Sequence, residues 1–305
     1  MPFPYLTETE DLTDSVRAKA GGSFIQLPNG ICHYELSETN SHETPFDKAQ
    51  GRRNTPHVVL IHGFSVPYFI WDPAFEFLVK SGFRVLRYDL FGRGLSDRPR
   101  TAYNIRLFVR QLKDLLDALN LEQIHLVGLS MGGAISAAFV DQYPERITSH
   151  ILIDPAGAKA IAISPMLKLA KLPGLADLAF GLAGDNSLLE SVASDFYDPA
   201  LIEIFIERYR LQMKIKGFKR AILSSVRNGM LDSFYDIYRR VGKLQKPTLL
   251  FWGRNDTTVP FEHSALITAA LPHAEFHVIE GAGHIPHYEK PGEVNPILAK
   301  FLHSA

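Results

Sequence analysis

The sequence predicts an α/β fold, a mostly parallel sheet with helices on both faces, on three observations. Short continuous apolar runs recur along the chain, helical patterns fall between most of them, and turn residues punctuate the joins. Continuous apolar strands belong in a sheet buried on both faces, because a half-exposed sheet alternates apolar and polar positions. Strand–helix alternation makes neighbouring strands parallel, since each crossover helix returns the chain to the end where the previous strand began.

In chain order, residues 1–22 are polar and helix-prone and are expected to form an N-terminal arm. Ser23 to Leu27 and Ile31 to Leu36 read as short strands joined by Pro28-Asn29-Gly30, a hairpin signal. Residues 37–56 are almost wholly polar and are expected to form a long exposed loop. The central strands are His57 to His62, Arg84 to Tyr88, Ile124 to Val127, Ile147 to Ile153, Thr248 to Trp252 and Phe276 to Ile279. Helices are expected at Trp71 to Lys80, Asn104 to Leu119, Met131 to Tyr143, Glu262 to Leu271 and Pro291 to Leu302. In the second of these, Leu112, Leu115, Leu116 and Leu119 make a core-facing stripe at helical spacing.

Between Ile153 and Thr248 no clear strand occurs. That stretch reads as helices broken at Pro165, Pro173-Gly174, Asp185-Asn186, Pro199 and Gly217. From Ile161 to Leu182 only Lys168, Lys171 and Asp177 are charged, so this part is expected either to pack on its neighbours or to wall an apolar substrate pocket. The domain organisation is therefore an arm (1–22), a core in two parts (23–155 and 246–305), and a helical cap or lid (156–245) inserted between them.

With 46% hydrophobic and 21% charged residues the composition is that of a globular protein. A formal net charge of −1 gives no reason to expect a nucleic-acid partner or an electrostatic membrane anchor. A single cysteine, Cys32, precludes an intramolecular disulfide and a Cys-rich metal site. No uncharged apolar run reaches the ~18 residues of a membrane span, and the start lacks the pattern of a secretory signal, so a cytoplasmic protein is expected.

The pentapeptide Gly128-Leu129-Ser130-Met131-Gly132 stands between a predicted strand and a predicted helix. A serine on such a turn is held in a strained conformation that exposes its hydroxyl. Serine is a weak nucleophile and needs a base, and histidine oriented by a carboxylate suits the task. Among twelve histidines, His284 sits in a glycine loop directly after the last strand, with His287 its nearest rival. Asp256 follows the strand ending at Trp252, with Asp154 and Asp89 as competing acids. The Met131 amide, at a helix N-terminus, and the Phe64 amide, in His62-Gly63-Phe64-Ser65, are the expected oxyanion donors. Gly63 would let the substrate approach the backbone closely.

These pieces resemble the α/β-hydrolase superfamily over residues 23–303. Asp89-Leu90-Phe91-Gly92-Arg93-Gly94-Leu95-Ser96 looks like its D-x-x-G-x-G-x-S loop, and Trp252-Gly253-Arg254-Asn255-Asp256 through Val259-Pro260 looks like its acid-bearing segment. The resemblance implies an eight-stranded, mostly parallel sheet with a cap after the sixth strand. It implies Ser130, Asp256 and His284 as a triad, Phe64 and Met131 as an oxyanion hole, and Asp89 and Ser96 as structural. Serine at the elbow argues against the relatives that use an aspartate nucleophile. The serine esterase and lipase branch is then expected, and the oily segment looks similar to the cap of monoacylglycerol-lipase-like enzymes, with Gly63, Ser65, Met166, Leu167 and Leu178 expected at the substrate. The substrate expected is a small-molecule ester, an acylglycerol or other apolar acyl ester, with no metal and no cofactor. The alternatives are a carbon–carbon bond hydrolase of vinylogous diketones, for which a pocket arginine would speak, and a non-catalytic receptor for a small ligand.

Overall fold

The structure is a computed structural model that describes residues 5–37, 57–161 and 174–305. The polar stretch 38–56 and the positions Met166 and Leu167 lie outside the described residues.

Eight strands form one sheet: β1 (Ser23–Leu27), β2 (Gly30–Leu36), β3 (His57–Ile61), β4 (Val85–Tyr88), β5 (Ile124–Leu129), β6 (Ile147–Ile153), β7 (Thr248–Gly253) and β8 (Glu275–Ile279). Their spatial order is β1-β2-β4-β3-β5-β6-β7-β8. The hairpin β1–β2 and the β2–β4 pair are antiparallel, and every later pair is parallel. The order doubles back at β3, so the loops after β3 and β5 open side by side at the strands' carboxyl ends, where open α/β sheets place ligands.

The apolar runs behave as their composition requires. Val59 and Ile61 of β3 join Ile124 and Leu126 of β5 in one core cluster, while Val58, Leu60, Val127 and Leu129 join the cluster on the other face. Eleven α-helices follow among the described residues: α1 (Asp14–Arg17), α2 (Asp72–Lys80), α3 (Ile105–Ala118), α4 (Met131–Gln142), α5 (Leu175–Ala193), α6 (Ile202–Met213), α7 (Phe218–Arg227), α8 (Tyr235–Lys243), α9 (Ser264–Ala270), α10 (Pro286–Glu289) and α11 (Pro291–Ser304). Asn104 caps α3 by accepting from the Leu107 amide at 3.1 Å, and Leu112, Leu115 and Leu116 are buried as their spacing predicts.

Helices α5 to α8 lie between β6 and β7. The expected break at Asp185-Asn186 does not occur, because α5 runs through it. Asp185 is used sideways, its carboxylate 2.6 Å from the buried Lys219 ammonium of α7. Helix-interior Asp and Asn cost only about 0.7 kcal/mol each against alanine, which such a contact offsets. The first residues tie onto the same helices: Glu8 accepts from the Gly217 and Lys219 amides, both at 2.6 Å, and Tyr5 donates to Asp177 at 2.8 Å.

Candidate active site

Ser130 stands between β5 and α4 at φ 54°, ψ −120°, a conformation that costs a non-glycine residue about 1–3 kcal/mol. Three backbone hydrogen bonds hold it there: its amide donates to Ile153 O at 3.0 Å, and its carbonyl accepts from the Gly133 and Ala156 amides at 2.8 and 2.9 Å. The flanking glycines are required by space. A Cβ on Gly128 would lie 2.4 Å from Gly132 O, and one on Gly132 would lie 2.4 Å from Ile61 O.

His284 and Asp256 come together from the loops after β8 and β7. His284 Nδ1 and Asp256 Oδ2 are 2.8 Å apart. Asp256 Oδ1 accepts from the Thr258 and Val259 amides at 2.8 and 2.9 Å, which fixes the carboxylate before it meets the histidine. Donation from Nδ1 to Asp256 leaves Nε2 as the basic ring nitrogen. Burial alone would lower the His284 pKa, but the charge and hydrogen bond of Asp256, with the Asp195 charge behind them, raise it overall.

The rival residues have other occupations. His287 is fully buried with its ring 4.4 Å from that of Trp71, and burial pushes it down to about 3. Asp89 bonds to His33 Nδ1 at 2.7 Å and accepts from the Tyr68 and Leu95 amides, while Ser96 Oγ donates to the Asp89 carbonyl at 2.6 Å. Both therefore hold backbone, as the resemblance implies. Asp154 is the acid that sequence reasoning left unplaced. One of its oxygens accepts from the Gly253 amide at 2.9 Å, and its carboxylate, Asp256 and His284 present atoms within 4.8 Å of one another. Burial first, then the Asp256 charge, pushes Asp154 well above the usual carboxylate range.

Gly63, Phe64, Ser65, Ser130, Met131 and His284 all line one cavity of about 390 Å³. A Cβ on Gly63 would lie 3.4 Å from Ser130 Cβ and 3.8 Å from its Oγ, ordinary contact distances, so Gly63 stands directly beside the serine. Two side chains that the sequence did not single out pin this loop. Arg93 Nε donates to Phe64 O at 2.8 Å, and Gln212 Nε2 of α6 donates to Ser65 O at 2.7 Å while its Oε1 accepts from the Gly94 amide at 3.0 Å. Buried His62 accepts from the Leu90 amide through Nε2 and faces Gly63 O through Nδ1, both at 2.9 Å, and burial pushes it down to about 4, its neutral form.

Val66, Ile70, Leu129, Ile161, Leu231 and Ile285 supply much of the cavity's apolar lining. Ser187, Glu190, Ser191, Ser194, Asp195 and Thr258 supply its polar lining. Leu178, expected at the substrate, is 41% exposed and does not line the cavity. It lies ten residues before Leu188 on α5, about 15 Å along the axis, and the far end of that helix is the one that reaches the cavity.

A strained serine after the fifth strand, a histidine bonded to a strand-end aspartate and a glycine loop after the third strand agree with what the comparisons find. The description "Alpha/beta hydrolase family" matches residues 58–297. The chain belongs to that family. It is 31% identical over 258 residues to the 2-hydroxy-6-oxo-6-phenylhexa-2,4-dienoate hydrolase of Comamonas testosteroni, covering 80% of this chain and 87% of that protein. It is also 31% identical over 297 residues to a 2-hydroxy-6-oxononadienedioate/2-hydroxy-6-oxononatrienedioate hydrolase of Pseudomonas putida, covering 94% and 99%. The enol-lactonase of Burkholderia xenovorans LB400 shares the fold at TM-score 0.74 and 20% identity, over 92% of this chain and 100% of that one. The names of these two sequence relatives correspond to the carbon–carbon alternative, and the monoacylglycerol-lipase-like branch is not specifically matched. Among the described residues no helix is long and apolar enough to cross a membrane.

Proposed function

We propose that this family member is a serine hydrolase that cleaves a neutral carboxylic ester with an apolar acyl group through an acyl-enzyme on Ser130. His284 takes the serine proton as Ser130 Oγ attacks the carbonyl carbon. The Met131 and Phe64 amides receive the developing oxyanion, each worth about 10²–10³ in rate. The alcohol leaves with the proton from His284, and water, deprotonated by the same nitrogen, then releases the acid. Each step uses groups the chain itself supplies. In this reading residues 156–245 act as the cap, 23–155 and 246–305 as the core, and 1–22 as an arm holding the cap.

The charge of the cavity supports the ester. Glu190 and Asp195 are its charged lining besides His284 among the described residues. The six arginines between β6 and β7 have other places. Arg208, Arg227, Arg239 and Arg240 pair with Asp72, Asp177, Asp236 and Asp141, Arg220 donates to two carbonyls, and Arg210 is exposed. None of them lines the cavity. A substrate carboxylate brought beside such a lining would be repelled.

The second reading, a carbon–carbon bond hydrolase, is the one the comparisons back better than the ester, through the names of the curated relatives. A hydroxy-oxo-dienoate contains no ester, so its hydrolysis breaks a carbon–carbon bond, and the same serine, base and oxyanion donors would serve. A panel of nitrophenyl esters from acetate to palmitate beside one hydroxy-oxo-dienoate separates the two. We expect ester kcat/KM to exceed that for the dienoate at least tenfold, and Ser130→Ala to abolish it with the fold intact. A dienoate preference overturns the ester reading, and undiminished turnover by Ser130→Ala overturns the nucleophile.

A further inference from the structure

The polar lining of the cavity is ordered. Ser187, Glu190, Ser191 and Ser194 recur at spacings of three and four along α5 and its end, which is one face of a helix, and all four line the cavity. Asp195 follows directly and is anchored twice. Its carbonyl accepts from the His284 amide at 2.8 Å, and its Oδ1 accepts from Thr258 Oγ1 at 2.7 Å. The carboxylate is thereby held at a set place relative to the proposed base.

That place has a chemical meaning that rests on the ester reading. Groups around Ser130 Oγ and the oxyanion donors meet the acyl carbonyl. Groups flanking His284 meet the alcohol portion, because His284 must reach the leaving oxygen to protonate it. We propose that Asp195, Thr258 and the α5 serines form a subsite for an alcohol portion that carries free hydroxyl groups, with Asp195 Oδ2 accepting from one of them. A half-buried carboxylate with one protein donor gains from a second, and a hydrocarbon laid over it leaves that oxygen without a partner. A hydrogen-bonding site rejects the analogue that lacks the hydroxyl more strongly than an apolar pocket rejects an extra one. The substrate class is then an apolar acyl group on a polyol.

The test compares 1-glyceryl butyrate with propyl butyrate, which share the acyl group and the three-carbon alcohol and differ by two hydroxyls. Choline butyrate, which carries charge without a hydroxyl, is the third arm. The expected wild-type kcat/KM ratio, glyceryl over propyl, is tenfold or more, and Asp195→Ala and Asp195→Asn should bring it within about threefold of unity. The ratio within one preparation is insensitive to the fraction folded, and Asp195→Asn keeps the shape should the alanine variant fail to fold. Equal turnover of glyceryl and propyl esters by the wild type, or a ratio unmoved in both variants, overturns the subsite and leaves the ester reading standing. Preference for the choline ester overturns the hydroxyl assignment in favour of charge. Turnover of a dienoate with none of any ester overturns the ester reading and the subsite with it.

Discussion

Arg93 is the residue whose replacement most cleanly separates stability from catalysis. Its guanidinium is fully buried, donates to Phe64 O, Phe91 O and Ser225 Oγ at 2.8, 3.3 and 2.9 Å, and sits among the rings of Phe64, Tyr103 and Phe108. Burial pushes it down to about 10. At about 1.36 kcal/mol per pH unit, that corresponds to roughly 3 kcal/mol spent holding the charge in the fold. Arg93→Met keeps a long flexible side chain and removes this penalty, but leaves two carbonyls without their donor at about 1–3 kcal/mol each. The opposing terms leave a net loss of no more than about 3 kcal/mol, or a Tm drop of about 5 °C or less. Catalysis has no such offset. The Phe64 carbonyl is released, the Phe64 amide, the proposed oxyanion donor, loses its aim, and a displacement near 1 Å costs on the order of 10²-fold. Thermal unfolding followed by circular dichroism, with nitrophenyl butyrate turnover measured well below Tm, gives both numbers on one preparation. A folded Arg93→Met protein with kcat within threefold of wild type would refute the positioning argument. So would an activity loss fully explained by the unfolded fraction.

Gly132→Ala would set a Cβ 2.4 Å from Ile61 O and 2.6 Å from His62 O, both backbone atoms, so the elbow or β3 must move. A lowered urea midpoint equivalent to about 1–3 kcal/mol is expected, with turnover under about 1% of wild type, and an unchanged midpoint would contradict it. Asp256→Asn removes the charge that raises His284, so burial prevails; since the base works deprotonated, the acidic limb of kcat/KM should move to lower pH while the plateau falls about 10⁴-fold. A limb that stays in place counts against the pairing. Burial pushes His62 to about 4 and His150 and His287 to about 3. These depressed bases stay neutral in the fold while the unfolded chain takes up protons near ~6.5, so stability falls as pH drops from there, by roughly 3–5 kcal/mol per histidine at full uptake. Trp71, packed on His287, should report a cooperative acid transition above pH 4, and a native signal at pH 3.5 would sink this account.

The elements legible in the sequence are those whose physics is local. The strands β3 and β7 are nearly all apolar because both faces of the sheet are covered, whereas β5 and β6 also bury His125, Ser149 and His150 among their apolar residues. The Ser130 turn announces itself through Gly128 and Gly132, where a side chain would strike backbone within the same ten residues or on the adjacent strand. Choosing among the acids was harder, because Asp89, Asp154 and Asp256 all follow strands. What separates them is which backbone amides each accepts from and which histidine each meets, His33 for Asp89 and His284 for Asp256. Arg93 and Gln212 carry no local mark, since what they hold lies 29 and 147 residues away in the chain.

Reaction and substrate are set by different parts of this fold. The proposed nucleophile, acid, base and oxyanion amides follow the carboxyl ends of β3, β5, β7 and β8, so the sheet order brings them to one edge. The cavity lining comes from residues 63–66, 70, 129–131, 161, 187–188, 190–191, 194–195, 231, 257–258 and 284–285, assembled by how α5 lies over that edge. Helix direction decides which of its residues face inward, and Leu178, apolar and near the start of α5, points away while Ser191 and Asp195 do not. Of the oily segment, Ile161 lines the cavity and Leu178 does not, and the cavity also carries Glu190 and Asp195 in the same lining as His284. Relatives that share a strand-end arrangement need not share that lining, so 31% identity to a dienoate hydrolase is compatible with the ester substrate proposed for this chain.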